Sequence, residues 1–309
     1  MTDQLHRYLF DDQLTRLQTV ILERSWQEAL QHSQYPAVVQ TLLGELCAAA
    51  VLLAGNLKYQ GSLILQAQGD GPISLLVVEC TSELDIRATA TLNDSQPLPT
   101  VGNLQSLLSA AGQGRFVVIL EPDDQKTFRP YQGIVPLEGE TVAAALQNYM
   151  KHSEQLDTQL VLAANDQRAA GFLLQRLPGK STAAQVTTTS PESTHDEDSW
   201  ARNQPIFATL SADELLALDN DNLVRRLFWQ EDLLQLPTQP VRWHCPCTRE
   251  RVANMLRMLG EEEIEQILNE QGKVSVACQF CGQPYAFDKV DCAQLFRTGS
   301  SEQPPSQLH

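Results

Sequence analysis

Alternating apolar and polar residues mark the first part of the chain. Ser62–Gln68 and Ile73–Glu79 have the pattern of β-strands, and the sequence Gly69-Asp70-Gly71-Pro72 between them is typical of a turn. Leu84–Leu92 alternates in a similar way and predicts a third strand. Because the connections are short, we expect an antiparallel meander.

The same patterning predicts more strands and three helices before residue 178. The strands form two further pairs, Arg115–Leu120 with Tyr131–Val135 and Gln159–Ala163 with Gly171–Arg176. Apolar residues recur at helical spacing in Ser25–Gln31, Pro36–Ala54 and Glu140–Tyr149. This part of the sequence contains no Gly-rich phosphate loop, no nucleophile elbow and no paired-carboxylate pattern.

One predicted helix is nearly apolar throughout. In Pro36–Leu53 the apolar run is interrupted by Gln40, Gly44 and Glu45, and it is shorter than the roughly 20 residues that cross a bilayer. We therefore expect a buried core helix and no membrane segment. The start of the chain is charged and lacks the apolar region of a secretory signal, so a cytoplasmic protein is expected.

The composition changes after residue 178. Residues 179–199 are almost entirely polar and are expected to form a flexible connector. From Ile206 to Leu236 the leucines return at helical spacing, and Ser211 with Glu214 matches a capping box. These helices are too small to fold alone. They either pack permanently on a neighbouring domain or dock only conditionally.

Four cysteines follow this helical segment. Cys245 and Cys247 flank Pro246, and Cys278 and Cys281 form a second pair followed by Gly282. Four thiolates delivered in two close pairs are typical of a tetrahedral Zn²⁺ site. His244 could replace one sulfur, but four cysteines already complete the set of ligands.

The residues around these cysteines predict a small module. Thr248 is a suitable N-cap for a helix that ends at Gly260, a second helix should end near Gly272, and a strand through Val274 and Val276 should deliver Cys278. A module of this size has a marginal core, so most of its folding free energy should come from the metal.

Two interpretations of the zinc site remain open at this point. Either the metal has only a structural role in the module, or oxidation of neighbouring thiolates destroys ligands, releases the metal and unfolds the module in one coupled event. In the second case the apolar segment before the module would be released to bind other exposed hydrophobic chains.

The net charge and the cysteine content of the chain disfavour some classes of function. A formal net charge of -16 disfavours a protein built to bind nucleic acid. Cysteine clusters without a secretory signal favour metal or redox chemistry in a reducing compartment. Cys47 and Cys80 are expected to be buried, whereas Cys292 lies near the zinc ligands and is expected to be buried or idle rather than mispaired.

Several of these motifs resemble the heat-shock protein 33 family of redox-regulated chaperones, over nearly the full length of the chain. The matching segments are His6–Phe10, Gln66–Pro72, Tyr131–Gly133, Leu137–Gly139, Ser153–Leu156, Cys245–Arg251 and Cys278–Gly282. The resemblance implies an ATP-independent holdase that binds unfolded client proteins and is inactive while reduced, with one Zn²⁺ held by all four thiolates.

The resemblance also implies how the protein is activated. Oxidation would form the disulfides Cys245–Cys247 and Cys278–Cys281, release zinc, unfold the linker and produce a homodimer. The polar insertion at residues 187–198 departs from the family pattern and could loosen the coupling between the zinc module and the linker. Candidate client-binding residues are Ile206, Phe207, Leu215, Leu216, Leu223, Leu227 and Phe228.

The expected fold is α+β with three parts. Residues 1–178 form a core domain of antiparallel sheets packed by helices, 179–241 form the connector and a metastable helical linker, and 242–309 form a zinc-binding redox-switch domain with a disordered tail. We do not expect an enzyme. The alternatives are a thiol-disulfide oxidoreductase using Cys278 and Cys281, for which no thioredoxin-like context is present, and a zinc-dependent nucleic-acid adaptor.

Overall fold

A computed structural model describes residues 3–32, 34–109, 111–178 and 198–297. The described residues form two compact units, which divide between His244 and Cys245. Most of the predicted polar connector, residues 179–197, and the predicted tail from residue 298 onward lie outside the described residues.

The first unit contains two β-sheets. A five-stranded sheet has the order β10-β1-β2-β9-β8, and a six-stranded sheet has the order β11-β5-β4-β3-β6-β7. The strands of the first sheet are β1 (Gln4–Leu9), β2 (Thr15–Leu22), β8 (Thr158–Ala164), β9 (Ala169–Arg176) and β10 (Leu234–Pro240). Those of the second are β3 (Gly61–Gln68), β4 (Ile73–Thr81), β5 (Asp85–Leu92), β6 (Arg115–Pro122), β7 (Tyr131–Pro136) and β11 (Arg242–Trp243). All pairings are antiparallel except that of β11 with β5.

Four helices belong to the core of this unit. They are α1 (Arg24–Leu30), α2 (Ala37–Ala54), α3 (Leu104–Leu108) and α4 (Val142–Tyr149), the last of which continues into a π-helical turn at Met150–Glu154. The predicted α+β fold, its meander and the predicted strand pairs are confirmed, with strand boundaries shifted by at most two residues. Sequence patterning did not predict β1, β2 or the short helix α3.

Helix α2 is the centre of the core. Every residue from Leu46 to Ala54 is buried, and α2 packs on strands of both sheets. Helix α2 lies so close to β8 at Gly44 that a Cβ atom at this position would be 2.5 Å from the Cβ of Ala164. Although α2 is long and apolar enough to cross a membrane, its burial confirms the predicted core helix.

Glu45 is the ionisable residue within the apolar run of α2. Burial raises the pKa of its carboxyl group to about 7, because a charged carboxylate is poorly solvated there. The core around α2 therefore carries one group whose ionisation opposes folding.

Three further helices cover the opposite face of the five-stranded sheet. They are α5 (Ser199–Phe207), α6 (Ala212–Ala217) and α7 (Asn220–Phe228). Ser211 and Glu214 form the predicted capping box at the start of α6. The apolar side chains of these helices pack with sheet residues such as Phe10, Leu17 and Phe172 in a second core cluster.

The prediction of helical spacing up to Leu236 is wrong at its end. Leu234 and Leu236 lie in β10, an edge strand that pairs with β1. Pro237 and Pro240 cannot continue a helix, and the free edge of β1 offers backbone partners for an extended segment. Long-range pairing thus overrides the local leucine spacing.

The second unit is small. It contains α8 (Arg249–Leu259), α9 (Glu261–Gln271), the hairpin of β12 (Val274–Ala277) and β13 (Pro284–Phe287), and α10 (Lys289–Arg297). Thr248 caps α8, Gly260 ends it and Gly272 ends α9, as predicted. The small core contains Leu256, Ile264, Phe287 and the buried Cys292.

Candidate metal centre

Four cysteine sulfurs converge in the second unit. The Sγ atoms of Cys245, Cys247, Cys278 and Cys281 all lie within 4.8 Å of one another. Cys245 Sγ is 3.6 Å from Cys278 Sγ, and Cys247 Sγ is 3.2 Å from Cys281 Sγ. Sulfurs bound tetrahedrally to Zn²⁺ at about 2.3 Å lie about 3.8 Å apart, so this donor set fits such an ion.

Two local structures deliver the cysteine pairs. Cys245 and Cys247 precede α8, whose start is held by Thr248 Oγ1 accepting the Arg251 N–H at 3.2 Å. Cys278 and Cys281 lie in the turn between β12 and β13, where Gly282 N–H donates to the Cys278 carbonyl at 2.8 Å. Gly282 has a φ of +66°, a conformation that favours glycine and lets the turn close behind the two thiols.

The thiols differ in their electrostatic surroundings. Burial raises the pKa of the Cys245 thiol to about 12. Burial acts in the same direction on Cys247, but the Tyr285 hydroxyl donates a hydrogen bond to its sulfur at 3.3 Å, and with the neighbouring thiols it lowers the pKa to about 7. All four side chains are half-buried, so solvent reaches the group.

His244 and the three remaining cysteines lie outside this group of four sulfurs. Among the described residues, the candidate metal-binding group consists of the four cysteines without His244. Cys47 and Cys80 are fully buried in the first unit, and Cys292 is 2% exposed, as expected for small apolar side chains. All seven cysteines are free thiols.

The candidate client-binding residues lie elsewhere, in the first unit. Phe207, Leu215, Leu223, Leu227 and Phe228 are buried against the five-stranded sheet, while Leu216 is half-buried and Ile206 is exposed. The ring of Phe228 packs edge-on against Phe10, with ring centroids 5.5 Å apart. In this state the candidate binding surface is therefore covered.

Polar contacts hold the ends of α5 and α7 on the sheet. At the start of α5, Asp12 accepts the Ser199 N–H at 3.1 Å, and the Ser199 hydroxyl donates to Thr15 Oγ1 at 2.6 Å. At the start of α7, Asn220 donates to the Tyr8 hydroxyl at 2.9 Å and accepts from Thr19.

Arg168 holds the end of α6. Its guanidinium donates to the carbonyls of Leu216 and Leu218 at 3.0 and 2.9 Å and is paired with Glu23. These carbonyls belong to a helix end and have no partner within the helix. The sequence gives no local signal for these contacts, because the partners are far apart along the chain.

Comparisons with known proteins agree on one family. The model of the family described as Hsp33 protein matches residues 3–288. A 33 kDa chaperonin of Methylobacillus flagellatus is 45% identical over 301 residues, covering 96% of each chain, and one of Pseudomonas aeruginosa is 42% identical over 309 residues, covering 100% of this chain and 99% of the relative.

A solved structure shows the same fold. The crystal structure of the 33 kDa chaperonin of Thermotoga maritima matches with a TM-score of 0.76 and 22% identity, covering 97% of this chain and 99% of that chain. The likeness extends over both units. The chain belongs to the Hsp33 family of chaperones.

Proposed function

We propose that this protein is a redox-regulated, ATP-independent holdase of the cytoplasm, which binds unfolding proteins and prevents their aggregation under oxidative and heat stress. In the reduced state the four cysteines hold one Zn²⁺ and the protein is inactive. Oxidation converts the sulfurs into two disulfides, releases the metal, unfolds the linker and yields an active homodimer. The candidate client-binding residues are those of α5–α7 named above, together with the sheet face beneath them.

One observation carries this proposal: the apolar face of α5–α7 and its sheet are buried against each other, while the four thiols are half-buried. Loss of the linker would uncover apolar side chains on both partners at once. Exposed contiguous apolar surface is what binds other unfolded chains. Oxidation of the four thiols can therefore control whether the apolar surface between α5–α7 and the five-stranded sheet is exposed.

The linker leads directly into the cysteines. β10 ends at Pro240, β11 ends at Trp243, and Cys245 follows two residues later. When the second unit unfolds, the disorder begins next to these short strands. Bound Zn²⁺ would supply the cross-link that a core of this size needs to stay folded.

The oxidation balances with a peroxide as the oxidant. Two peroxide molecules accept four electrons from the four thiolates and four protons from water. Two S–S bonds form, both O–O bonds break, four water molecules leave, and no thiolate remains to hold Zn²⁺. The four sulfurs are open to this reaction because a zinc-bound cysteine is a thiolate, which is the reactive form of cysteine.

The proposed pairing is Cys245 with Cys247 and Cys278 with Cys281. In the structure, sulfur contacts of 3.6 and 3.2 Å join Cys245 with Cys278 and Cys247 with Cys281, which belong to different local pairs. We base the local pairing on the closeness of the two cysteines of each pair in the sequence. Each local disulfide closes a loop of only a few residues, so its two sulfurs stay near each other even after the unit unfolds. Peptide mapping of the oxidised protein distinguishes the two pairings.

The test is light scattering from a thermally unfolding client. We expect the peroxide-treated protein at mildly elevated temperature to suppress aggregation and the reduced, zinc-loaded protein to have no effect. Equal suppression by both forms would contradict the switch and leave a constitutive chaperone. No suppression by either form would contradict the chaperone proposal, and insulin reduction and salt-dependent nucleic-acid binding would then test the alternatives.

A further inference from the structure

The weakest element of the five-stranded sheet lies at its edge. β10 pairs with β1 from Gln4 to Leu9, and this pairing covers an edge that would otherwise expose backbone N–H and C=O groups. No residue of β10 is buried, and the register shifts once, between Leu5 and Arg7 of β1. β10 is thus held by exposed backbone pairing with little side-chain packing.

Two prolines confine β10 to the edge of the sheet. Pro237 lies at the register shift and Pro240 at the end of the strand, and neither has an N–H that could pair with a further strand. One side-chain contact adds to the backbone pairing, because the Arg7 guanidinium donates to the Pro237 carbonyl at 3.2 Å and to the Gly55 carbonyl at 3.3 Å. A strand built in this way occupies the edge but is easily displaced.

β1 differs from β10 in its packing. Leu5 and Tyr8 are buried, and β2 pairs with β1 along its other side. Leu5 belongs to the core around α2, whereas Tyr8 belongs to the cluster beneath α5–α7. Loss of the linker would therefore leave β1 in place while uncovering both its edge and the apolar face next to it.

From these contacts we infer that β10 is a built-in occupant of a strand-binding site, and that in the activated protein an extended segment of a client replaces β10 on the edge of β1. The inference deepens the proposed holdase function and rests on it. Backbone pairing recognises no particular sequence, while alternate side chains of the added strand reach the uncovered face. The best client segment is extended, with apolar residues at every second position.

Two N-methylated peptides provide a direct test with the full-length oxidised protein. The probe is a fluorescent ten-residue peptide of alternating valine and threonine, compared with versions N-methylated along one backbone edge or the other. We expect at least a tenfold loss of affinity when one edge is methylated and little change for the other, because only one edge faces β1. Equal binding of all three peptides would overturn the inference.

Hydrogen exchange locates the site. Those amides of Gln4–Leu9 that face β10 should lose protection when the protein is oxidised and regain it when the unmodified peptide binds, while the amides that pair with β2 stay protected. If the oxidised protein suppresses aggregation while these amides never change, this inference fails and the holdase proposal stands. If it neither binds the peptide nor suppresses aggregation, both fail.

A pair of variants adds a functional readout. The double substitution Pro237→Val and Pro240→Val replaces both prolines with a better strand former, so β10 should stay on the edge of β1 more often and the oxidised protein should hold client several-fold less well while releasing zinc normally. The matched control, Pro130→Val with Pro136→Val, changes exposed prolines at β7, the edge strand of the other sheet. An equal effect of the control would show that the edge of β1 has no special role.

Discussion

The two compact units of this protein are stabilised in different ways. The first unit buries a large continuous apolar core around α2. The second unit has a core of only a few apolar residues, and it also contains the group of four thiols. Apolar burial alone is therefore small in this unit. One unit can stay folded through the hydrophobic effect, whereas we propose that the other depends on a bound Zn²⁺ ion. Under this proposal, oxidation of the four sulfurs unfolds the second unit and leaves the core of the first unit folded.

The largest expected effect is loss of the metal ligands. Cys278→Ser removes one of the four sulfurs and should unfold residues 245–297, since apparent zinc binding contributes on the order of 10 kcal/mol to such a module. Limited proteolysis and circular dichroism would follow the second unit, with and without a chelator. Cys292→Ser, a buried thiol outside the group of four, is the matched control and should keep the unit folded with zinc bound. A folded, protease-resistant Cys278→Ser protein would contradict this account.

A cavity in the first core should have a smaller and metal-independent effect. Leu46→Ala at the fully buried centre of α2 should lower the free energy of unfolding of the first unit by about 3 kcal/mol. Urea unfolding measures the change, and zinc affinity should be unaltered. Val101→Ala, at a side chain that is 84% exposed, should change neither quantity. A loss of zinc affinity in Leu46→Ala would show that the units are not independent.

The first core also predicts a pH dependence. Burial raises the pKa of Glu45 to about 7, so the folded state favours the protonated form. This contribution to stability is fully present below the unfolded pKa of about 4.5 and is lost as pH rises through about 7. The loss is on the order of 3 kcal/mol.

The substitution Glu45→Gln tests whether stability decreases with rising pH because of this carboxyl group. Urea unfolding at pH 5 and pH 8 should show that the substitution removes most of the decrease in stability, so that the variant exceeds the natural protein at pH 8. Glu83→Gln, at an exposed loop position, should leave the pH dependence intact. A variant that remains as pH-sensitive as the natural protein would rule out Glu45 as the source.

The smallest effect is expected at the boundary between the linker and the sheet. Arg168→Met removes charge-assisted hydrogen bonds to the end of α6 and should weaken its docking by about 2 kcal/mol. Hydrogen exchange of residues 212–218 should speed up in the reduced protein, and Arg168→Lys should restore only part of the protection.

The control for Arg168 is Arg24→Met. Arg24 makes an exposed pair with Glu28 one helical turn away and should leave linker exchange unchanged. If Arg168→Met leaves exchange of α6 unchanged while aggregation suppression remains normal, Arg168 does not hold the linker.

Local patterns predicted most elements of both units. Alternation along β3, β4 and β5 and the apolar run of α2 were informative because each reflects one repeated burial pattern. The caps of α6 and α8 were predictable because Ser211 and Thr248 act within their own helices. The cysteine spacing likewise predicted the group of four sulfurs.

The errors and omissions involve distant partners. β10 has leucines at helical spacing, yet it extends because β1 presents an edge more than 220 residues earlier in the chain. Arg168 and Asn220 contact residues that no local pattern connects with them. Three-dimensional contacts thus decide how the linker is held and that β10 is a strand, while most of the other elements follow from local sequence patterns.

Hydrogen exchange of the linker and of α2 in the same sample tests the central claim most directly. The reduced, zinc-loaded protein and the peroxide-treated protein would be compared at the temperature of the aggregation assay. We predict that oxidation abolishes protection in α5–α7, β10 and residues 245–297, while Leu46–Ala54 of α2 remains protected. An oxidised, client-holding protein whose linker stays protected, or whose α2 opens together with the linker, would contradict the account.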